Sequence, residues 1–136
     1  MYTIDDFIPH RDRMRLVQEI VEIDNDHCVT RAVASPLWPL YGGGHIGSLI
    51  IVELVAQTVS VYVGWRKREK TRLGGKGVIV GIKDAVFPVP LIPAGAELKT
   101  SCRTLLNLDN TYGEFEGEVK DDRTSYGCVR IQTLGQ

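Results

Sequence analysis

The stretch IGSLIIVELVAQTVSVYVGW, residues 46–65, decides the fold. Its apolar residues, from Ile46 to Val63, fall all round a helical wheel. A surface helix shows one apolar stripe, whereas a helix apolar on every side is enclosed by protein or lipid. Arg66, Lys67, Arg68, Lys70 and Arg72 follow it, as suits a helix C-terminus whose exposed carbonyls attract cations. Gly74-Gly75 is expected to end the element. Glu53, Gln57, Thr58 and Ser60 lie inside it, and an ionised Glu at mid-bilayer is costly. The segment therefore reads as a core helix rather than a membrane span.

The flanking sequence supplies strands to enclose that helix. Residues 3–8 (TIDDFI) suit a short helical turn, with Thr3 as its cap and Asp6 three places on. Residues 14–23 fit either a helix or a strand, but Asp24-Asn25-Asp26 and the β-formers of 27–34 favour a hairpin. Residues 35–44 (SPLWPLYGGG) form a loop. Beyond the helix, 77–87, 96–108, 111–120 and 124–134 read as strands, with 88–95 (PVPLIPAG) as a Pro-rich turn. Asp109-Asn110 and Asp121-Asp122 are short turns, and connections this short mean antiparallel pairing. The expected architecture is α+β: one domain over 1–136, with an antiparallel sheet of five to six strands wrapped around one long helix. This is the hotdog layout. A helix wrapped by one sheet keeps an open side, so a homodimer is expected.

Composition narrows the function. The 136 residues are 43% hydrophobic and carry a net charge of −1, which excludes intrinsic disorder. Sixteen Lys plus Arg against seventeen Asp plus Glu leaves no basic excess for nucleic acid. Cys28, Cys102 and Cys128 are odd in number and contain no CxxC pair, so they read as reduced thiols. MYTIDDFIPH has acids where an export signal needs basic residues, and a cytoplasmic location is expected. His10, His27 and His45 have no metal-ligand spacing, and no metal site is expected.

Glu53 is the foremost chemical candidate. It is the only acid between Asp26 and Glu69 and stands in an apolar helix. Burial there would raise its pKa and suit it to donate a proton. The alternative is a structural Glu bonded to a polar neighbour. Gln57, at i+4, shares its face and would either orient Glu53 or serve as a satisfied core amide. His45 is the one histidine near the helix start, and bases are most often His. Eight residues separate it from Glu53, about 12 Å along a straight helix, so the pair would meet only across a dimer interface. The other reading is an exposed loop histidine. Gly42-Gly43-Gly44 would bring backbone N–H groups close to an oxygen or simply form a flexible loop. The basic residues 66–72 would dock an acidic partner or form an ordinary charged helix end.

Several segments resemble one family in order. Ile8-Pro9-His10-Arg11, Leu16-Val17 and Val21-Glu22-Ile23-Asp24 resemble the opening of 3-hydroxyacyl-(acyl-carrier-protein) dehydratases of the FabZ type. Ile51-Val52-Glu53-Leu54-Val55-Ala56-Gln57 resembles their central helix. Gly81 to Phe87, with Pro90 and Ile92-Pro93-Ala94-Gly95, resembles the strand and turn that follow. The family's His-Phe-Pro-Gly motif, fourteen residues before the helix carboxylate, is missing; Pro39 stands there, within Leu37-Trp38-Pro39-Leu40. The chain is thus similar to a divergent branch, the dehydratase-like proteins of aryl polyene clusters. The resemblance implies dehydration of a 3-hydroxyacyl thioester on acyl carrier protein, as in fatty-acid or polyene-type synthesis. It implies Glu53 as a catalytic group; His45, whose spacing differs from the family's, is expected as the second catalytic group because it is the histidine near the helix start, with Gln57, Gly44 and Gly47 at the substrate. It implies no cofactor beyond the carrier's phosphopantetheine, and read with the open helix side it implies a homodimer, or a heterodimer with an active dehydratase. A non-catalytic subunit and an acyl thioesterase are the alternatives. His10 and Arg11 are expected to bond the N-terminal segment to the body.

Overall fold

A computed structural model describes residues 2–8, 15–71, 78–108 and 112–134. His10, Arg11, Arg72, Gly74-Gly75 and Asp109-Asn110 lie outside the described residues, and with them the expectations placed there.

Strands β1 (Glu19–Ile23) and β2 (His27–Val33) form the expected hairpin. Asp24 shapes its turn: Oδ1 accepts the backbone N–H of Asp26 at 2.8 Å and of His27 at 2.9 Å. This local bonding is why Asp favours turns. The expected N-terminal turn is a single 3-10 turn, Ile4–Asp6, in which Asp6 Oδ2 accepts the Thr3 N–H at 2.8 Å.

The helix α1 runs Ile50–Thr71, not from residue 46 as its apolar run suggests. Ile46 belongs instead to a strand. Strands β3 (Tyr41–Gly42), β4 (His45–Gly47) and β6 (Leu91–Pro93) form a small three-stranded sheet in the order β3-β4-β6. Ile46 pairs with Ile92, and both are fully buried. Residues 88–95 are therefore more than a turn: Leu91–Pro93 captures the chain just before the helix. Gly43 and Gly44 are the two loop residues of the β3–β4 hairpin, with φ of +60° and +85°. A two-residue hairpin turn with positive φ at both positions calls for glycine there.

Strands β5 (Val78–Val86), β7 (Glu97–Leu108), β8 (Tyr112–Lys120) and β9 (Ser125–Leu134) join β1 and β2 in a six-stranded antiparallel sheet. Its order is β1-β2-β7-β8-β9-β5. The β7-β8-β9 meander is flanked by the β1–β2 hairpin on one side and by β5 on the other. Alternate residues face inward, among them Thr30, Leu98, Cys102, Phe115, Val119 and Ile131, all buried. The helix packs on this face, and Gly117 is what lets it in. A Cβ on Gly117 would stand 2.4 Å from Val55 Cγ1. Two polar contacts fix the helix as well. Thr58 and Thr30, both fully buried, join hydroxyls at 2.8 Å, and the Tyr62 hydroxyl donates to the Asn25 carbonyl at 2.6 Å. Cys28 and Cys102 are register partners on β2 and β7, buried as free thiols.

On the outer face, one register row of charge crosses five strands: Asp84, Arg130, Glu116, Arg103 and His27. Glu116 takes Arg103 at 2.9 Å and Arg130 at 3.2 Å. Among the described residues, no helix is long and apolar enough to cross a membrane. One helix stripe remains partly uncovered: Val52, Glu53, Ala56, Ser60 and Val63. The open side expected of a helix wrapped by one sheet is thus present.

Candidate active site

The corrected helix start changes the setting of Glu53. The carboxylate lies in the first turn of α1 rather than in mid-helix, and its residue is half-buried rather than buried.

Gln57 is fully buried, and its amide is fully assigned by its neighbours. Oε1 accepts two backbone N–H groups, from Leu16 at 2.9 Å and Val17 at 3.2 Å. Two donors on one atom make that atom the oxygen. Nε2 therefore donates, and it donates to Glu53 Oε1 at 2.9 Å. Gln57 is thus a satisfied core amide, and the same amide meets Glu53. The chain from Leu16 to Val17 is the far anchor of that amide, a partner that sequence spacing gives no hint of.

His45 lies exposed on β4, with Nδ1 3.2 Å from the Gly43 carbonyl oxygen. A carbonyl only accepts, so in this contact Nδ1 carries the proton.

The glycines have structural duties. The Gly44 carbonyl accepts the Ala94 N–H at 3.0 Å, and the Gly47 N–H donates to the Leu40 carbonyl at 3.0 Å. The Ser48 N–H is taken by Pro90, and those of Ile51 and Val52 by the carbonyls of Ser48 and Leu49. Among the described residues, the N–H groups of Leu49 and Ile50 have no backbone acceptor. Orphan donors of this kind at a helix start suit a developing oxyanion. The resemblance implies backbone N–H groups at the start of the central helix, but sequence alone names Gly47 rather than these two, because the first turn cannot be located by pattern.

Of the basic helix end, Arg66 stacks on the Tyr62 ring at 5.1 Å and donates to Thr104 Oγ1 at 2.9 Å. Arg68 lies over the rings of Tyr2 and Phe7, at 5.5 and 5.3 Å. Burial pulls the Lys67 ammonium below its ordinary pKa. Arg66 and Arg68 are held against the protein's own rings and a hydroxyl, which favours the helix-end reading over a docking patch. Among the described residues, no group of three or more His, Cys, Asp or Glu side chains could hold a metal ion.

A long helix enclosed by an antiparallel sheet, with a carboxylate in its first turn, defines a hotdog protein. Comparison then makes the assignment specific. The family model described as ApeP dehydratase, ApeP-like, matches residues 2–134, and the chain belongs to that family. Among solved structures it is similar to one chain of the dehydratase heterocomplex ApeI:P from Xenorhabdus doucetiae. The TM-score is 0.86 at 24% identity, over 100% of this chain and 92% of that one. It also resembles the E. coli PaaI protein from the phenylacetic acid degradation operon (TM-score 0.70, 12% identity, 87% and 78% covered). AziG from S. sahachiroi aligns with a TM-score of 0.67 at 18% identity, over 86% and 89%. No curated protein sequence matches the chain.

Proposed function

We propose that this protein dehydrates a 3-hydroxyacyl thioester carried on acyl carrier protein, giving the trans-2-enoyl thioester. The observation that carries the reading is the Gln57–Glu53 hydrogen bond in the first turn of the central helix. A buried amide that is itself locked by two backbone donors holds the carboxyl in one place. A general acid needs that positional constancy. Membership of a dehydratase family supports the same chemistry.

In this mechanism Glu53 delivers a proton to the departing C3 hydroxyl. The Leu49 and Ile50 N–H groups hold the thioester oxygen as charge develops there, since the Gly47 N–H is already taken by the Leu40 carbonyl. His45 Nε2 takes the C2 proton, in a site closed by a second hotdog chain over the uncovered helix stripe. The second chain is another copy or a companion dehydratase; the ApeI:P heterocomplex favours the companion. The protein needs no cofactor of its own, because the phosphopantetheine arm comes with the carrier, and the setting is cytoplasmic, where the carrier works.

The heterocomplex also favours a second reading, in which this chain is the non-catalytic member of such a pair. Turnover of 3-hydroxyacyl thioesters, with the product weighed by mass spectrometry, separates the readings. Wild-type protein is expected to remove one water, and His45→Ala to slow the reaction about 100-fold. Hydrolysis to free acid would make the protein a thioesterase. Activity only in the presence of a companion dehydratase, unchanged by His45→Ala, would make it the supporting subunit.

A further inference from the structure

Leu40 is the one non-glycine residue with positive φ among the described residues, at +69°. A Cβ in that region crowds the following carbonyl, so a leucine there is strained where glycine would not be. Strain of this kind persists when the surroundings or the function require the residue. Packing inside the protein is not the reason, because Leu40 is 52% exposed. The backbone turn is not the reason either, since glycine adopts it freely. What remains is the side chain.

Its position says what the side chain is for. The Leu40 carbonyl accepts the Gly47 N–H, and its Cβ lies over Gly47, 3.7 Å from where a Cβ would stand. Gly47 ends β4, two residues after His45 and three before the first residue of α1. Leu49 and Leu91, 61% and 49% exposed, stand at the same place in the fold: Leu91 pairs with Gly47, and Leu49 leads into the helix. Three exposed leucines thus gather about Gly47, at the strand end that leads to the Leu49 and Ile50 N–H groups. A thioester whose oxygen reaches those donors carries its acyl carbons past this apolar rim.

We propose that Leu40 is a specificity residue that contacts the acyl group of the substrate and sets which chain lengths are accepted. The inference rests on the proposed dehydratase function. The test uses Leu40→Gly and Leu40→Ala in the full-length protein. Turnover and calorimetric binding are measured for short and long 3-hydroxyacyl pantetheine thioesters, together with Tm and sedimentation. Leu40→Gly relieves the strain and removes the side chain; Leu40→Ala keeps the strain and removes most of the side chain. Both are expected to change the long-to-short ratio of kcat/KM about tenfold, the lower end of the scale for one methylene in an apolar pocket. Leu40→Gly is expected to match or exceed the wild-type Tm by up to about 3 °C, since relief of strain offsets the added freedom of the unfolded chain. An unchanged length ratio in both variants would overturn the proposal. So would an unchanged ratio with a shift in sedimentation, which would make Leu40 a subunit contact. If the wild type binds the thioesters without turning them over, the function proposed above fails, and the same length ratio is read from the dissociation constants. If it binds none of them, both proposals fall.

Discussion

The two sheets of this protein are built on opposite terms. The six-stranded sheet is regular, with buried residues alternating along β8 and β9 and a row of paired charges outside. Its contact with the helix is tight enough that one hydrogen in place of a methyl, at Gly117, is required. The three-stranded sheet has strands of two and three residues, a strained leucine and exposed leucines at its edges. The large sheet holds the helix; the small one sets where the helix begins, and so where Glu53 stands. Regular packing serves stability; on the proposed function the chemistry would fall at the irregular region, where strain and exposed apolar surface are tolerated for a task.

That contrast can be broken in several places. The largest loss of stability is expected on the large sheet. Gly117→Val puts a branched side chain into Val55 and should cost about 3 kcal/mol by urea denaturation. Little loss would mean that the helix can move away from the sheet. Gln57→Leu should come next, at about 2 kcal/mol, because the Leu16 and Val17 N–H groups lose their buried acceptor. It should also lower turnover, because Glu53 loses its orienting donor; loss of stability with full activity would break the link between anchor and carboxyl. Thr58→Val strands the buried Thr30 hydroxyl and should cost about 1 kcal/mol without changing turnover.

The smallest effects are expected on the outer face, where water screens charge. Glu22 and Asp24 hold the His27 imidazolium above its ordinary pKa of 6.5. A raised pKa in the folded state contributes stability that is full below 6.5 and fades as pH rises through the folded value. Replacing His27 with Asn should flatten that slope. Glu116 behaves in the opposite sense: Arg103 and then Arg130 pull its carboxyl below 4.5. Its contribution is present above 4.5 and lost as pH falls through the lower folded value. Glu116→Gln should flatten the acid side of the stability curve.

The same contrast explains what the sequence made legible. The hairpin at Asp24, the meander and the buried helix all follow from local periodicity and turn chemistry, and these elements stand as expected. The helix start does not follow, because the apolar run continues unbroken from Ile46 into the helix. What removes Ile46 and Gly47 from it is pairing with Ile92 and Leu91, more than 40 residues away. Glu53 and Gln57 were visible as polar residues in an apolar segment, but the Leu16 and Val17 partners were not, since nothing local links them. Leu40 gave no signal at all: leucine is among the last residues expected at a positive φ.

The account rests on Glu53 acting from the first helical turn. The most direct measurement is the single-turnover rate of water loss from a 3-hydroxyacyl thioester by Glu53→Gln, beside its Tm. Gln preserves size and can still meet the Gln57 amide, so the fold should hold. A wild-type Tm with a rate reduced by about 100-fold or more is expected. Water loss at the wild-type rate would contradict it, and would move the chemistry away from the central helix.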